Sequence, residues 1–104
     1  MPRFDCKGHC FTLTGGLRLL VMRVNGFIWF RLTRRGDCHD AAWLAQLSAL
    51  KLSRLMGARS VVVANSSELV RNQCSGRFRA RKARMRAHRD RCLAVARPML
   101  VHWA

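Results

Sequence analysis

Between Arg77 and Arg91 eight of fifteen residues are basic (Arg77, Arg79, Arg81, Lys82, Arg84, Arg86, Arg89 and Arg91), and only Asp90 is acidic. A guanidinium is a planar fork that grips phosphate through two hydrogen bonds and stacks on bases. A run this dense and this one-signed is more than ordinary surface and points to a polyanion, above all RNA. Arg34 and Arg35 add a second basic pair, and Phe78, between Arg77 and Arg79, is placed to stack on a base. Trp29 and Phe30 are further aromatic candidates, but they alternate along one segment, so at least one of them should be core. Each phosphate neutralised releases counterions, so binding through this run should weaken steeply with salt.

Other chemistries have thinner material. Cys6, His9 and Cys10 lie close together and Cys38-His39 comes later, a set that could hold zinc tetrahedrally. The Cys-x-x-His-Cys spacing is not that of a regular zinc knuckle, and free cysteine is often a small buried hydrophobe. Cys74 and Cys92 fall on helical segments and read as packing residues. No cysteine stands in a pattern with a histidine and a carboxylate that would activate it. Tyrosine is absent, and the acids number only five. No cofactor is implied.

Twenty Lys and Arg against those five acids give a formal charge of +15 on 104 residues, half of them apolar. That is one domain with a real core and a self-repelling surface, which a polyanionic partner would relieve. Arg18, Arg23 and Arg31 interrupt the apolar stretches, so none approaches the ~18–20 residues that span a bilayer. The odd cysteine count suggests no disulfide framework and favours a reducing compartment. The first thirty-six residues carry Arg and a single acid, Asp5, as organellar presequences do, but their patterning assigns them to the fold.

That patterning changes period near residue 40. Residues 17–33 predict a β-hairpin turning at Asn25-Gly26. Asp40 is the expected cap of a helix reaching about Met56, with Gly57 just beyond it. Its residues Trp43, Leu44, Leu47, Leu50 and Leu55 recur at helical spacing. The run Ser60-Val61-Val62-Val63-Ala64 predicts a strand buried on both faces. Asn65-Ser66-Ser67-Glu68 has the form of a capping box and should open a short helix to about Cys74. A helix from about Arg81 to Arg97, with Met85, His88, Cys92 and Val95 on one stripe, precedes Pro98 and a last strand at Met99–Trp103. The order ββαβααβ predicts an α/β domain with a mixed sheet.

The stretch from Asp40 to Leu50, then Gly57-Ala58-Arg59-Ser60-Val61-Val62-Val63, then Ser67-Glu68-Leu69-Val70 with Gln73 and Gly76, resembles the ribonuclease H domain in its short plant and bacterial form. Gly76-Arg77-Phe78-Arg79-Ala80-Arg81 fits that domain's Gly-aromatic-basic segment, and Gly15-Gly16 and the Asn25-Gly26 turn fall where it has its second and third strands. The resemblance implies one ribonuclease H-like domain over residues 1–104, in which residues 1–14 would supply a truncated first strand. It also implies where catalytic carboxylates would stand. The helical Glu falls on Ala42, the Asp ending the fourth strand falls on Ser66 beside Asn65, and the late Asp has no counterpart. Asp5 alone could stand for the first-strand Asp, and Glu68 reads as a cap.

One carboxylate cannot assemble the Mg²⁺ pair that hybrid cleavage needs. The expectation is therefore a degenerate, non-catalytic fold that binds RNA as a structural subunit of a large ribonucleoprotein. A ribosome, especially a mitochondrial or other organellar one, is the foremost candidate, with ribosomal RNA and neighbouring proteins as partners and neither membrane nor small-molecule substrate. Two alternatives stand beside it. One is a metal-dependent ribonuclease H; the other is a protein-interaction subunit docking through the sheet edge that a shortened start would leave.

Overall fold

Residues before Leu17 carry little apolar alternation, yet the computed structural model, which describes residues 1–104, opens with a ten-residue strand, β1 (Arg3–Thr12). The hairpin follows as expected: β2 (Arg18–Val24) and β3 (Phe27–Thr33) pair antiparallel, with Asn25 in the left-handed region at φ 51°. Then come α1 (Cys38–Leu55), β4 (Ser60–Asn65), α2 (Glu68–Ser75), α3 (Ala83–Ala96) and β5 (Leu100–Trp103). The expected order is present with β1 in front of it.

The sheet is mixed, in the order β3-β2-β1-β4-β5, with β1 antiparallel to β2 and parallel to β4. The first strand, ten residues long, is the centre of the sheet. No edge is left by a shortened start; the edges belong to β3 and β5.

Helix α1 lies across β1, β2 and β4, and α3 packs on α1. Phe4, Cys6, Leu20, Met22, Val24, Val61 and Val63 face Trp43, Ala45, Leu47 and Leu50 in one continuous core. The helix sits so close to β1 that a Cβ on Gly8 would fall onto the backbone of Ala41 and Ala42. Only glycine allows that approach.

The cap of α1 is Asp37, not Asp40: Asp37 accepts from the Asp40 N–H, and the Asp40 carboxylate accepts from the Asp37 N–H at 2.8 Å, a capping box begun three residues earlier. At α2 the cap is Ser67, which accepts from the Val70 N–H at 3.3 Å. Asn65 instead accepts from the Ser67 N–H at 2.9 Å, and Glu68 is the first helical residue with no capping bond. Strand β4 is buried on one face only, at Val61, Val63 and Asn65, because α1 and α2 cover a single side of the sheet. The other side leaves Phe11, Ile28, Phe30 and Leu32 more than half exposed.

All five cysteines are free, and burial divides them. Burial pushes the Cys6 and Cys92 thiols up to about 12 and the Cys74 thiol higher still. Only the thiolate is nucleophilic. Iodoacetamide at neutral pH should therefore modify exposed Cys38 rapidly in the native protein and reach Cys6, Cys74 and Cys92 only after denaturation. Peptide mass mapping reads this directly, and equal labelling of all five would contradict the packing described.

Candidate nucleic-acid interface

A buried carboxylate fastens the basic helix to the rest of the fold. Asp40, 6 % exposed, bonds the His88 imidazole at 2.8 Å, and that ring stacks on Trp43 with centroids 6.0 Å apart. Arg84 reaches the same corner, 3.0 Å from Asp37 and 3.5 Å from Asp40. Burial disfavours the Asp37 carboxylate, but the Asp40 hydrogen bonds and the charges of Arg84 and His39 outweigh it and hold its pKa below the usual value. Arg84, one of the candidate RNA contacts, is thus occupied in joining α3 to the start of α1.

Arg89 is also engaged, 2.9 Å from Asp90. Arg77, Arg79, Arg81, Lys82, Arg86 and Arg91 are all exposed, and none makes an ion pair. Arg86 donates only to the Arg81 carbonyl. The segment carrying these groups leaves α2 through Gly76, at φ 88°, and runs without regular structure until α3 begins. Phe78 is half exposed and lines a groove of about 590 Å³ together with Arg77, Arg79 and Arg89. A base stacked there would have cations on both sides. Arg79, Arg81 and Lys82 also border a cavity with Asp37 and His39 at the start of α1. Arg34 and Arg35, exposed, lie in the loop that ends at Asp37, so the two basic stretches approach the same corner.

Trp29 packs against the core as a half-buried residue, whereas Phe30 projects from the uncovered face at 64 % exposure. The cysteine and histidine candidates for zinc do not converge. Successive residues of a strand point to opposite faces, so His9 lies across β1 from buried Cys6 and half-buried Cys10. Cys38 is exposed at the start of α1, and no three His, Cys, Asp or Glu side chains are grouped to hold a metal.

The positions where the resemblance places carboxylates lie around the end of β1 and β4 and under Gly8. Asp5 pairs in register with Ala64, and the Ser66 N–H donates to the Cys6 carbonyl at 3.0 Å, so Asp5 and Ser66 border one cavity. Ala42 is buried beneath Gly8, its carbonyl accepting from the Asn65 amide at 3.1 Å. Asp5 is bound by Arg3 at 3.2 Å. Sequence reasoning missed three cations at this cavity, Lys7, Arg23 and Arg71, because they are far apart in the chain and only the sheet register assembles them. The His88–Asp40 bond was likewise invisible; the one hint was a histidine on an otherwise apolar stripe.

No protein-family model matches the chain, and no curated protein matches it. Solved structures do. The N-terminal ribonuclease H domain of Rv2228c from Mycobacterium tuberculosis superposes with a TM-score of 0.76 at 15 % identity, over 100 % of this chain and 81 % of that one. RNase H1 from Halobacterium salinarum gives 0.65 at 16 %, over 95 % and 80 %. LC11-RNase H1 in complex with an RNA/DNA hybrid gives 0.66 at 16 %, over the same shares. At such identities the likeness is one of fold.

Proposed function

We propose that this chain, a ribonuclease H-like fold without a metal-holding carboxylate cluster, serves as a non-catalytic RNA-binding subunit of a large ribonucleoprotein. The observation that carries the reading is the set of six exposed, unpaired cations on one segment, Arg77, Arg79, Arg81, Lys82, Arg86 and Arg91. A surface of that kind is costly to a free protein and is relieved by phosphate. A structural neighbour is solved with an RNA/DNA hybrid, which supports a nucleic-acid partner for the same fold here. The donor set argues against hybrid cleavage. Hard oxygen ligands are needed for a Mg²⁺ pair, and the cavity offers Asp5, tied to Arg3, and the Ser66 hydroxyl, while Ala42 is buried under Gly8.

A ribosome, in particular a mitochondrial or other organellar one, suits a small, very basic chain of this kind best, with ribosomal RNA as the partner. That assignment rests on charge and fold analogy. A protein-interaction role has one observation in its favour, the uncovered sheet face bearing Phe11, Ile28, Phe30 and Leu32. Within a particle that face would suit a neighbouring protein.

The test is equilibrium binding of labelled single-stranded RNA and RNA–DNA hybrid, with Mg²⁺ present, across a salt series. Binding that falls steeply with salt while the RNA stays intact supports the reading. Metal-dependent cleavage of the hybrid, or no binding to either, contradicts it.

A further inference from the structure

The cavity at the end of β1 and β4 has a composition that the six unpaired cations of the basic segment do not account for. Its volume is about 680 Å³, and Arg3, Lys7, Arg23 and Arg71 line it against the single acidic side chain of Asp5. Arg3 is spent on Asp5 at 3.2 Å. Lys7 and Arg23 have no ion pair, and Arg71 has only a 4.0 Å approach from Glu68, whose side chain is 78 % exposed. The sheet register makes this more pointed. Lys7 and Arg23 are direct cross-strand partners in the antiparallel pair of β1 and β2, on the uncovered face. Like charges in that position destabilise a sheet. Asp5, the one carboxylate on that face, is shared with Arg3 at 3.2 Å and makes no ion pair with either cation, and Arg23 spends its Nε–H on the Asn25 carbonyl at 3.1 Å, so the repulsion is only partly offset.

An anion between them would turn the repulsion into attraction. We propose that Lys7, Arg23 and Arg71 form a phosphate-binding site that takes a backbone phosphodiester of the bound RNA directly, through charge-assisted hydrogen bonds. The site rests on the RNA-binding reading and extends it to a second point of contact. Ser66, exposed beside the three cations, offers a hydroxyl donor to the same oxygens. A cavity of this charge repels a divalent cation and attracts the phosphate itself. Helix α2 separates the two basic regions: Arg71 borders this cavity, while Leu69 and Gln73 border the one shared with Arg79, Arg81 and Lys82. Eight residues of helix measure on the order of 12 Å. One RNA strand can cross that distance and engage both.

Lysine footprinting tests the site in the unaltered protein, because Lys7, Lys51 and Lys82 are the only lysines and all are exposed. Lys7 reports on the proposed site, Lys82 on the basic segment, and Lys51 on α1, where it borders Trp29 and Leu55 away from both. The chain is acetylated with and without excess single-stranded RNA and mapped by mass spectrometry. With nine-tenths of the protein bound, labelling of Lys7 and Lys82 should fall about tenfold while Lys51 is unchanged. Lys82 protected with Lys7 labelled as freely as in the absence of RNA overturns the site and leaves the RNA-binding reading standing. Lys7 protected with Lys82 free upholds the site and moves the main contact away from the basic segment. Equal labelling at all three with and without RNA overturns both.

Discussion

Replacing Gly8 by alanine should cost at least ~3 kcal/mol of stability, the largest effect expected of any single methyl group in this chain. The added Cβ would lie 2.5 Å from the Ala41 carbonyl oxygen and closer still to the backbone of Ala42. These are main-chain atoms near the start of α1, so no side-chain rotation can relieve the clash. Either α1 lifts from the sheet or β1 bends, and both open the contact around Trp43 and Leu50, which are fully buried. For a domain of this size the loss corresponds to a melting temperature lower by ~12–24 °C. Thermal unfolding followed by circular dichroism measures it. A Gly8→Ala protein that melts within a few degrees of the parent would show that the helix does not lie against the strand as described. Glycine at 15, 16, 26, 57 or 76 has open space where a Cβ would stand, so the steric part of the effect is specific to Gly8.

Exchanging Arg77, Arg79, Arg81 and Lys82 together for glutamine should lower RNA affinity on the order of 10²–10³-fold near 0.1 M salt. The same change should reduce the slope of log K against log salt by about 3, since each phosphate contact on a single strand contributes roughly 0.7. All four side chains are exposed and none makes an ion pair, so the fold should be unaffected. Arg84→Gln provides the contrast. Its guanidinium is held by Asp37 and Asp40, so this variant should lose stability, by ~1 kcal/mol because the pair is half exposed, with little change in salt slope. A quadruple variant that binds RNA with the parent's affinity and slope would remove the basic segment from the interface.

Much of the architecture was legible because the chain states it locally. Asn25-Gly26 between two apolar runs specified the hairpin, and the helical spacing of Trp43, Leu47 and Leu50 specified the face of α1 that is buried. The first strand was legible only through the resemblance, which placed it within residues 1–14, and its own pattern is faint for a physical reason. Its inward residues are Phe4, Cys6, Gly8 and Cys10, mostly small, because α1 presses directly on them, and its outward residues Arg3, Asp5, Lys7 and His9 are polar. The alternation is present, but with Cys and Gly on its inward side it is a weak apolar signal. The valines of β4 misled in the opposite sense: a continuous apolar run signals two covered faces, yet one face here is open. The basic segment was legible as composition, while the engagement of Arg84 and the meeting of Lys7, Arg23 and Arg71 depend on contacts between residues distant in sequence.

Sedimentation of native extract through a sucrose gradient, probed for this chain at low and high salt, tests the central claim most directly. The chain should travel with a heavy particle, leave it as salt rises, and return to the top of the gradient after ribonuclease treatment. Migration as a free small protein at low salt would contradict membership of a ribonucleoprotein. Retention on the particle through both high salt and ribonuclease would assign the attachment to protein contacts at the uncovered sheet face instead.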